Sequence, residues 1–224
     1  MTSFEPLPIL NLTGKWVMEK SLSTDLDPLM GDSQQCINWI LRQAVRHVAI
    51  TFTFTEYASI AADGSQLALH LDVVHTATGG FKGTTEKRTL DWNPHVHHDY
   101  VFGTLSVRSR LIGGVEDGNG CVRPALELDT LNLNERVYDF LRGGISVKGE
   151  PEERFLVEDS LQEYAWLHTV SRSEEMGWTM EQVWGFEMIQ GRRYHTRRVV
   201  VLSKSGDYAL ARLVYKLQGE VRQP

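Results

Sequence analysis

The chain has 224 residues, 42% of them hydrophobic and 23% charged, with a net charge of -6 and a pI near 5.8. These values fit an ordinary soluble globular protein, long enough to bury a sizeable core without staples. The acidic balance argues against nucleic acid or an anionic membrane surface as the main partner, and Cys36 and Cys121 stand too far apart for a disulfide framework or zinc site.

The first residues, MTSFEPLPILNLTGKW, show no basic n-region and no long apolar run. No stretch approaches the roughly 18 apolar residues that a membrane helix needs. A cytoplasmic protein is therefore expected, and the Asn11-Leu12-Thr13 sequon reads as chance.

A first strand is predicted over 12–20, centred on Gly14-Lys15-Trp16-Val17-Met18. Ser23 or Thr24 can cap a short helix that holds Leu26, Leu29 and Met30 and ends at Gly31. Asp32 or Ser33 can cap a second. There Ile37, Ile40, Leu41, Ala44, Val45 and Val48 fall on one helical face. The pair predicts a helix-turn-helix lid over residues 23–48.

From Val48 onward the period is two. Ile50, Phe52 and Phe54 alternate with threonines, Asp63-Gly64 signals a hairpin, and Leu67, Leu69, Leu71 and Val73 mark the next strand. Thr78-Gly79-Gly80 turns into a strand over 82–92, which Asn93-Pro94 breaks. A strand over 100–112 carries Val101, Leu105, Val107 and Leu111 on one side. Residues 113–120 read as a loop, 125–131 as a strand, and 136–144 as either helix or loop; together 113–158 form an extended insertion. Strands return over 165–172, 177–189, 192–202 and 208–217. The pattern predicts a mainly β, single-domain chain over 1–224, either a closed antiparallel barrel or a sandwich.

The order strand, helix-turn-helix, then continuous antiparallel strands resembles the intracellular fatty-acid-binding proteins, calycins like the lipocalins. The likeness is carried by Gly14-Lys15-Trp16, the Ser23, Leu26, Asp27, Met30 spacing, the strand from Ile50 to Glu56, and Arg212 with Tyr215 near the end. It covers residues 12–92 and, more loosely, 176–217. It implies a barrel of about ten strands with a ligand cavity, since such a barrel is too wide for side chains to fill. The chain is similar in style to lipocalin-like proteins of filamentous fungi. Two departures matter. Leu26 stands where that family's signature has an aromatic, two residues farther from Gly14. The family's carboxylate clamp, Arg-x-Tyr, is here Arg212-Leu213-Val214-Tyr215, which period-two geometry puts on opposite faces. Calycins include passive carriers and also cofactor-free cyclases, and fold analogy does not choose between them.

Within such a barrel, residues 177–189 (GWTMEQVWGFEMI) are the most informative segment. Trp178, Met180, Gln182, Trp184, Phe186 and Met188 share one face, expected to point inward because Glu181 and Glu187 on the other are costly to bury unpaired. The stripe reads as packed core or as a ligand wall of bulky, polarizable side chains, with Gln182 as an orienting group. Glu86 and Arg88 share a face; turned inward they form an acid-base pair, turned outward they are solvated. His168, between Trp166 and Val170, is the best candidate general base, with Trp166 beside it in the ligand wall. His75 reads as a satisfied or rim histidine, and His95, His97 and His98 as a solvated turn without the third ligand a metal needs. In 192–198, either Arg193, His195 and Arg197 or Tyr194 and Arg198 face the interior. An inward Arg197 or Tyr194 suits a carboxylate, enolate or carbonyl oxygen.

No phosphate-binding Gly-rich loop, G-x-S-x-G elbow, HExxH or Rossmann fingerprint is present, so no cofactor or metal is expected. The resulting expectation is a barrel that encloses a small lipophilic metabolite and catalyses its cofactor-free cyclisation or isomerisation, as in natural-product biosynthesis. The alternatives are a passive carrier of a fatty acid or similar ligand, and an interaction barrel with a filled core. A homodimer is left open.

Overall fold

The computed structural model describes residues 10–24, 51–60, 67–76, 82–99, 102–130, 134–151, 155–157 and 166–219. The period-two segments become strands, because alternate side chains of an extended chain share a face. In chain order these are β1 (Gly14–Met18), β2 (Thr51–Ile60), β3 (Leu67–Thr76), β4 (Lys82–Thr89), β5 (His95–Asp99) and β6 (Gly103–Ile112). Then come β7 (Gly114–Glu116), β8 (Val122–Pro124), the helix α1 (Glu135–Leu141), β9 (Trp166–Ser173), β10 (Trp178–Ile189), β11 (Arg192–Ser203) and β12 (Tyr208–Gly219). The lid expected over 23–48 lies almost wholly outside the described residues.

Ten strands form one sheet in the order β4-β3-β2-β1-β12-β11-β10-β9-β6-β5, every pairing antiparallel. Its two edges curl toward each other. Arg88 of β4 donates to Thr169 Oγ1 at 2.7 Å and Ser109 Oγ at 3.3 Å, across the seam, and Trp92 N–H donates to the Ser109 carbonyl at 2.9 Å. The result is a nearly closed antiparallel barrel, with β7 and β8 as a separate hairpin. No helix among the described residues is long and apolar enough to cross a membrane, which leaves β-strand spans unaddressed.

The insertion between β6 and β9 departs from expectation. Its 113–120 segment holds β7 and the turn that leads to β8, and 125–130, expected as part of a strand, forms none. The ambiguous 136–144 stretch resolves into α1. Asn134 caps it by accepting from Val137 N–H at 3.1 Å. Val137, Phe140 and Leu141 then fall on one face and are buried. Residues 95–99, expected as a turn, pair with β6 as the edge strand β5.

Two apolar clusters follow. The inner one includes Trp16, Phe52, Phe54, Trp178, Met180, Trp184, Phe186 and Tyr215, and lies inside the barrel. The outer one joins Val137, Phe140 and Leu141 to Trp166, Val183, Val200 and Leu210, so the insertion covers the outside of β9 to β12. Both faces of these strands are therefore buried.

Candidate functional site

Register decides which side chains share the interior. Trp184 of β10 stands opposite Arg197 of β11 and Leu167 of β9, and Phe186 stands opposite His195, itself opposite Tyr215 of β12. Trp178, Met180, Gln182, Trp184 and Phe186 line the inside as expected, whereas Met188 lies at the strand's end and is 38% exposed. Gln182 Oε1 accepts from Trp184 Nε1 at 3.0 Å and its amide nitrogen contacts Met180 Sδ at 2.9 Å, which fixes the indole.

Arg197 lies inside an aromatic box. Its guanidinium carbon is 3.7 Å from the Trp184 ring centre, 4.6 Å from Phe52, 5.1 Å from Tyr215 and 5.5 Å from Phe54. These are cation–π contacts in a desolvated setting. Burial brings its pKa down to about 10, so it stays charged at neutral pH. Its Nε donates to His195 Nε2 at 3.3 Å, while His195 Nδ1 contacts the Gly185 carbonyl at 3.1 Å. The two bonds assign the proton to Nδ1 and a neutral ring. Burial holds the His195 imidazole well below its ordinary 6.5, and the charge on Arg197 pushes the same way.

Glu86 and Arg88 also face inward. Arg88 Nη2 lies 2.5 Å from Glu86 Oε2, and His75 Nε2 lies 3.1 Å from Glu86 Oε1. Burial pushes the Glu86 carboxyl up, but the charge of Arg88, the His75 contact and nearby His97 outweigh it and hold the group well below the usual carboxylate range. Arg88 sits 5.3 Å from the Trp184 ring centre. Trp184 therefore connects the Glu86–Arg88 group to Arg197. Beside them a small pocket of about 40 Å³ opens at the seam, lined by Glu86, Arg88, His95, His97, Val107 and Ser109 among others. A second interior carboxylate, Glu56, accepts from the N–H groups of Leu10, Leu12 and Thr13 at 2.7, 2.9 and 3.1 Å, tying residues 10–13 to the interior.

Three expected site residues face the other way. His168, Trp166 and Tyr194 lie on the outer face of the sheet, apart from Trp184 and Arg197. His168 is fully buried there against Glu181, and Trp166 packs on Phe155 with ring centres 6.2 Å apart. The even-numbered face of β9 looked inward in sequence because it carries Trp166 and Val170; it is apolar because the insertion covers it. Glu181 and Glu187 do point outward, but both are buried and bonded rather than solvated. Tyr215 and His75 were missed as site members. The sequence pattern sets Tyr215 only against Arg212, which lies on the opposite face, 3.4 Å from Glu187. Among the described residues no group of three or more His, Cys, Asp or Glu side chains is arranged to hold a metal.

Comparison with known proteins agrees in broad character. The chain is 25% identical over 209 residues to the pericyclase pydY of an Acremonium species, covering 93% of this chain and 92% of that protein. It is also 25% identical over 209 residues to a probable pericyclase, scpY, of Mollisia scopiformis, covering 93% of this chain and 90% of that one. No protein-family model and no solved structure matches the chain.

Proposed function

We propose that the barrel interior is the active site of a cofactor-free cyclase of the pericyclase type, acting on a small lipophilic metabolite. The observation that carries this reading is the placement of two guanidiniums, Arg197 and Arg88, at 3.7 and 5.3 Å from one buried Trp184 ring. The likeness to two pericyclase-named proteins over most of the chain supports it. The aromatic and methionine wall would fold a flexible chain into a reactive conformer and exclude water. Preorganised donors would stabilise charge that develops on a conjugated oxygen in the transition state. Glu86, paired with Arg88, holds that cation in place. His168 is not part of this proposal, since it stands on the outer face.

The pocket at the seam is far smaller than the roughly 300–1,000 Å³ that organic ligands occupy. A ligand entering at this pocket would have to part the β4–β5 seam or swing interior side chains aside. The test is incubation of the purified chain with a linear polyene precursor that cyclises slowly in buffer. Accelerated, stereochemically biased product supports the reading. Tight binding with no acceleration would instead favour a carrier, and neither binding nor acceleration would remove both.

A further inference from the structure

Arg197 has more donor capacity than its surroundings use. Its Nη2 is buried with no hydrogen-bond partner among the described residues, and so is the Tyr215 hydroxyl, whose ring centre lies 5.1 Å from the guanidinium carbon. Buried polar atoms without partners are uncommon in native proteins, and each asks for an explanation. Charge is unbalanced in the same place. Among the described residues the interior carboxylates are Glu56 and Glu86. The first is occupied by three backbone N–H groups and the second by Arg88 and His75. Among the described residues neither forms an ion pair with Arg197. The nearest imidazole, His195, is neutral and offers Arg197 only an acceptor nitrogen. A desolvated cation with spare donors favours an incoming negative charge.

The geometry also says what kind. A carboxylate is best held by two parallel N–H bonds on one guanidinium edge. Here Nε is already given to His195, so the Nε–Nη2 edge cannot grip both oxygens. The donors that are buried without a partner are the Nη2 amino group and the Tyr215 hydroxyl, on two different side chains, which suits a single oxygen reached by both and carrying delocalised charge.

We propose that Arg197 Nη2 and Tyr215 Oη form an oxyanion site for one enolate-type oxygen of the ligand, so that the substrate is an acidic, enolisable dicarbonyl compound with a lipophilic chain. The inference rests on the proposed enclosure of a ligand in the barrel. It adds the acidic head group and the two residues that recognise it.

Titration calorimetry separates the two ideas. The probes are an octanoyl-substituted cyclic β-diketone, which is an enolate at neutral pH, its neutral enol methyl ether, decanoate, and methyl decanoate. The enolate is expected to bind at least about tenfold more tightly than its methyl ether, the value of one charge-assisted hydrogen bond. Tyr215→Phe, which removes only the hydroxyl, is expected to lose most of that preference while leaving affinity for the ether intact. Equal binding of enolate and ether overturns the oxyanion site, makes Arg197 a structural cation, and leaves enclosure standing. A preference shown by decanoate over its ester but not by the enolate overturns the single-oxygen geometry. No binding of any probe removes the enclosure reading as well. The wild-type comparison needs no variant, so a misfolded Tyr215→Phe protein does not rescue the proposal.

Discussion

His168 Nε2 lies 2.8 Å from Glu181 Oε1, with both side chains fully buried on the outside of the barrel wall. Burial pushes the His168 pKa below its ordinary 6.5 despite the adjacent carboxylate. A neutral ring with its proton on Nε2 satisfies the contacts, since Nδ1 is then free to accept from Arg110 Nε at 3.4 Å. Glu181 also accepts from the N–H groups of Asp129 and Thr130, each at 2.9 Å. The pair thus fastens the insertion to the sheet rather than meeting a ligand.

Removing that fastening should be costly. Glu181→Ala leaves two buried backbone donors and an imidazole without their acceptor, and is expected to lose about 3–5 kcal/mol of stability. Glu181→Gln keeps one acceptor oxygen and should lose less. Urea unfolding checks both, and a Glu181→Ala midpoint equal to wild type would refute the fastening role.

Acid should destabilise the fold before the carboxylates titrate. His195 and His168 both have folded pKa values depressed by burial. Below the ordinary value of 6.5 the unfolded chain binds protons that the folded chain refuses, so this stability is present above 6.5 and is lost as pH falls. Glu56 acts in the opposite sense: its carboxyl is pushed up by burial against three backbone N–H bonds, so it favours the folded state on acidification near its own range. Melting temperature is expected to fall between about pH 7 and pH 5. His195→Gln, which keeps an acceptor for Arg197, should flatten that dependence; an unchanged slope assigns it elsewhere.

Gly185 marks where the insertion presses on β10. A Cβ there would meet Trp166 Cδ1 at 2.6 Å and Phe155 Cδ1 at 2.9 Å. Gly185→Ala is expected to cost about 1–3 kcal/mol through overpacking and to loosen the segment around Phe155. Thermal melting with amide hydrogen exchange over 134–157 measures both.

Trp184 carries the most direct functional prediction. Trp184→Leu removes the ring shared by Arg88 and Arg197, and should lower the rate of the proposed cyclisation by about tenfold to a hundredfold through misplaced donors. Gln182→Leu leaves the indole N–H unpaired, at a cost of about 1–3 kcal/mol. Product formation, with circular dichroism to confirm folding, is the measurement. A Trp184→Leu protein with undiminished turnover would place the chemistry away from this ring.

The alternation in Trp178 to Phe186 was enough to identify a strand and to pick its inner face, because charged Glu181 and Glu187 made the two faces unequal. It gave the right face for an incomplete reason: the glutamates are outward but buried, paired with His168 and Arg198. On β9 and β11 the same logic had nothing to work with. Trp166, Leu167, His168, Thr169 and Val170 are all buried, as are residues 194–201. When both faces are covered, alternation no longer says which is inside.

Local chemistry along the chain therefore determined most of the strands and turns, the mainly β antiparallel character and the inward stripe of β10, since each depends on neighbours within one segment. Tertiary structure alone decided that the described residues after β6, among them Val137, Phe140, Leu141 and Phe155, pack over the outer wall, that His168, Trp166 and Tyr194 belong to that wall, and that Tyr215 and His75 join Arg197 and Glu86 inside. Those outcomes follow from register between strands distant in sequence and from which surface an inserted segment covers, and neither leaves a periodic trace in the residues themselves.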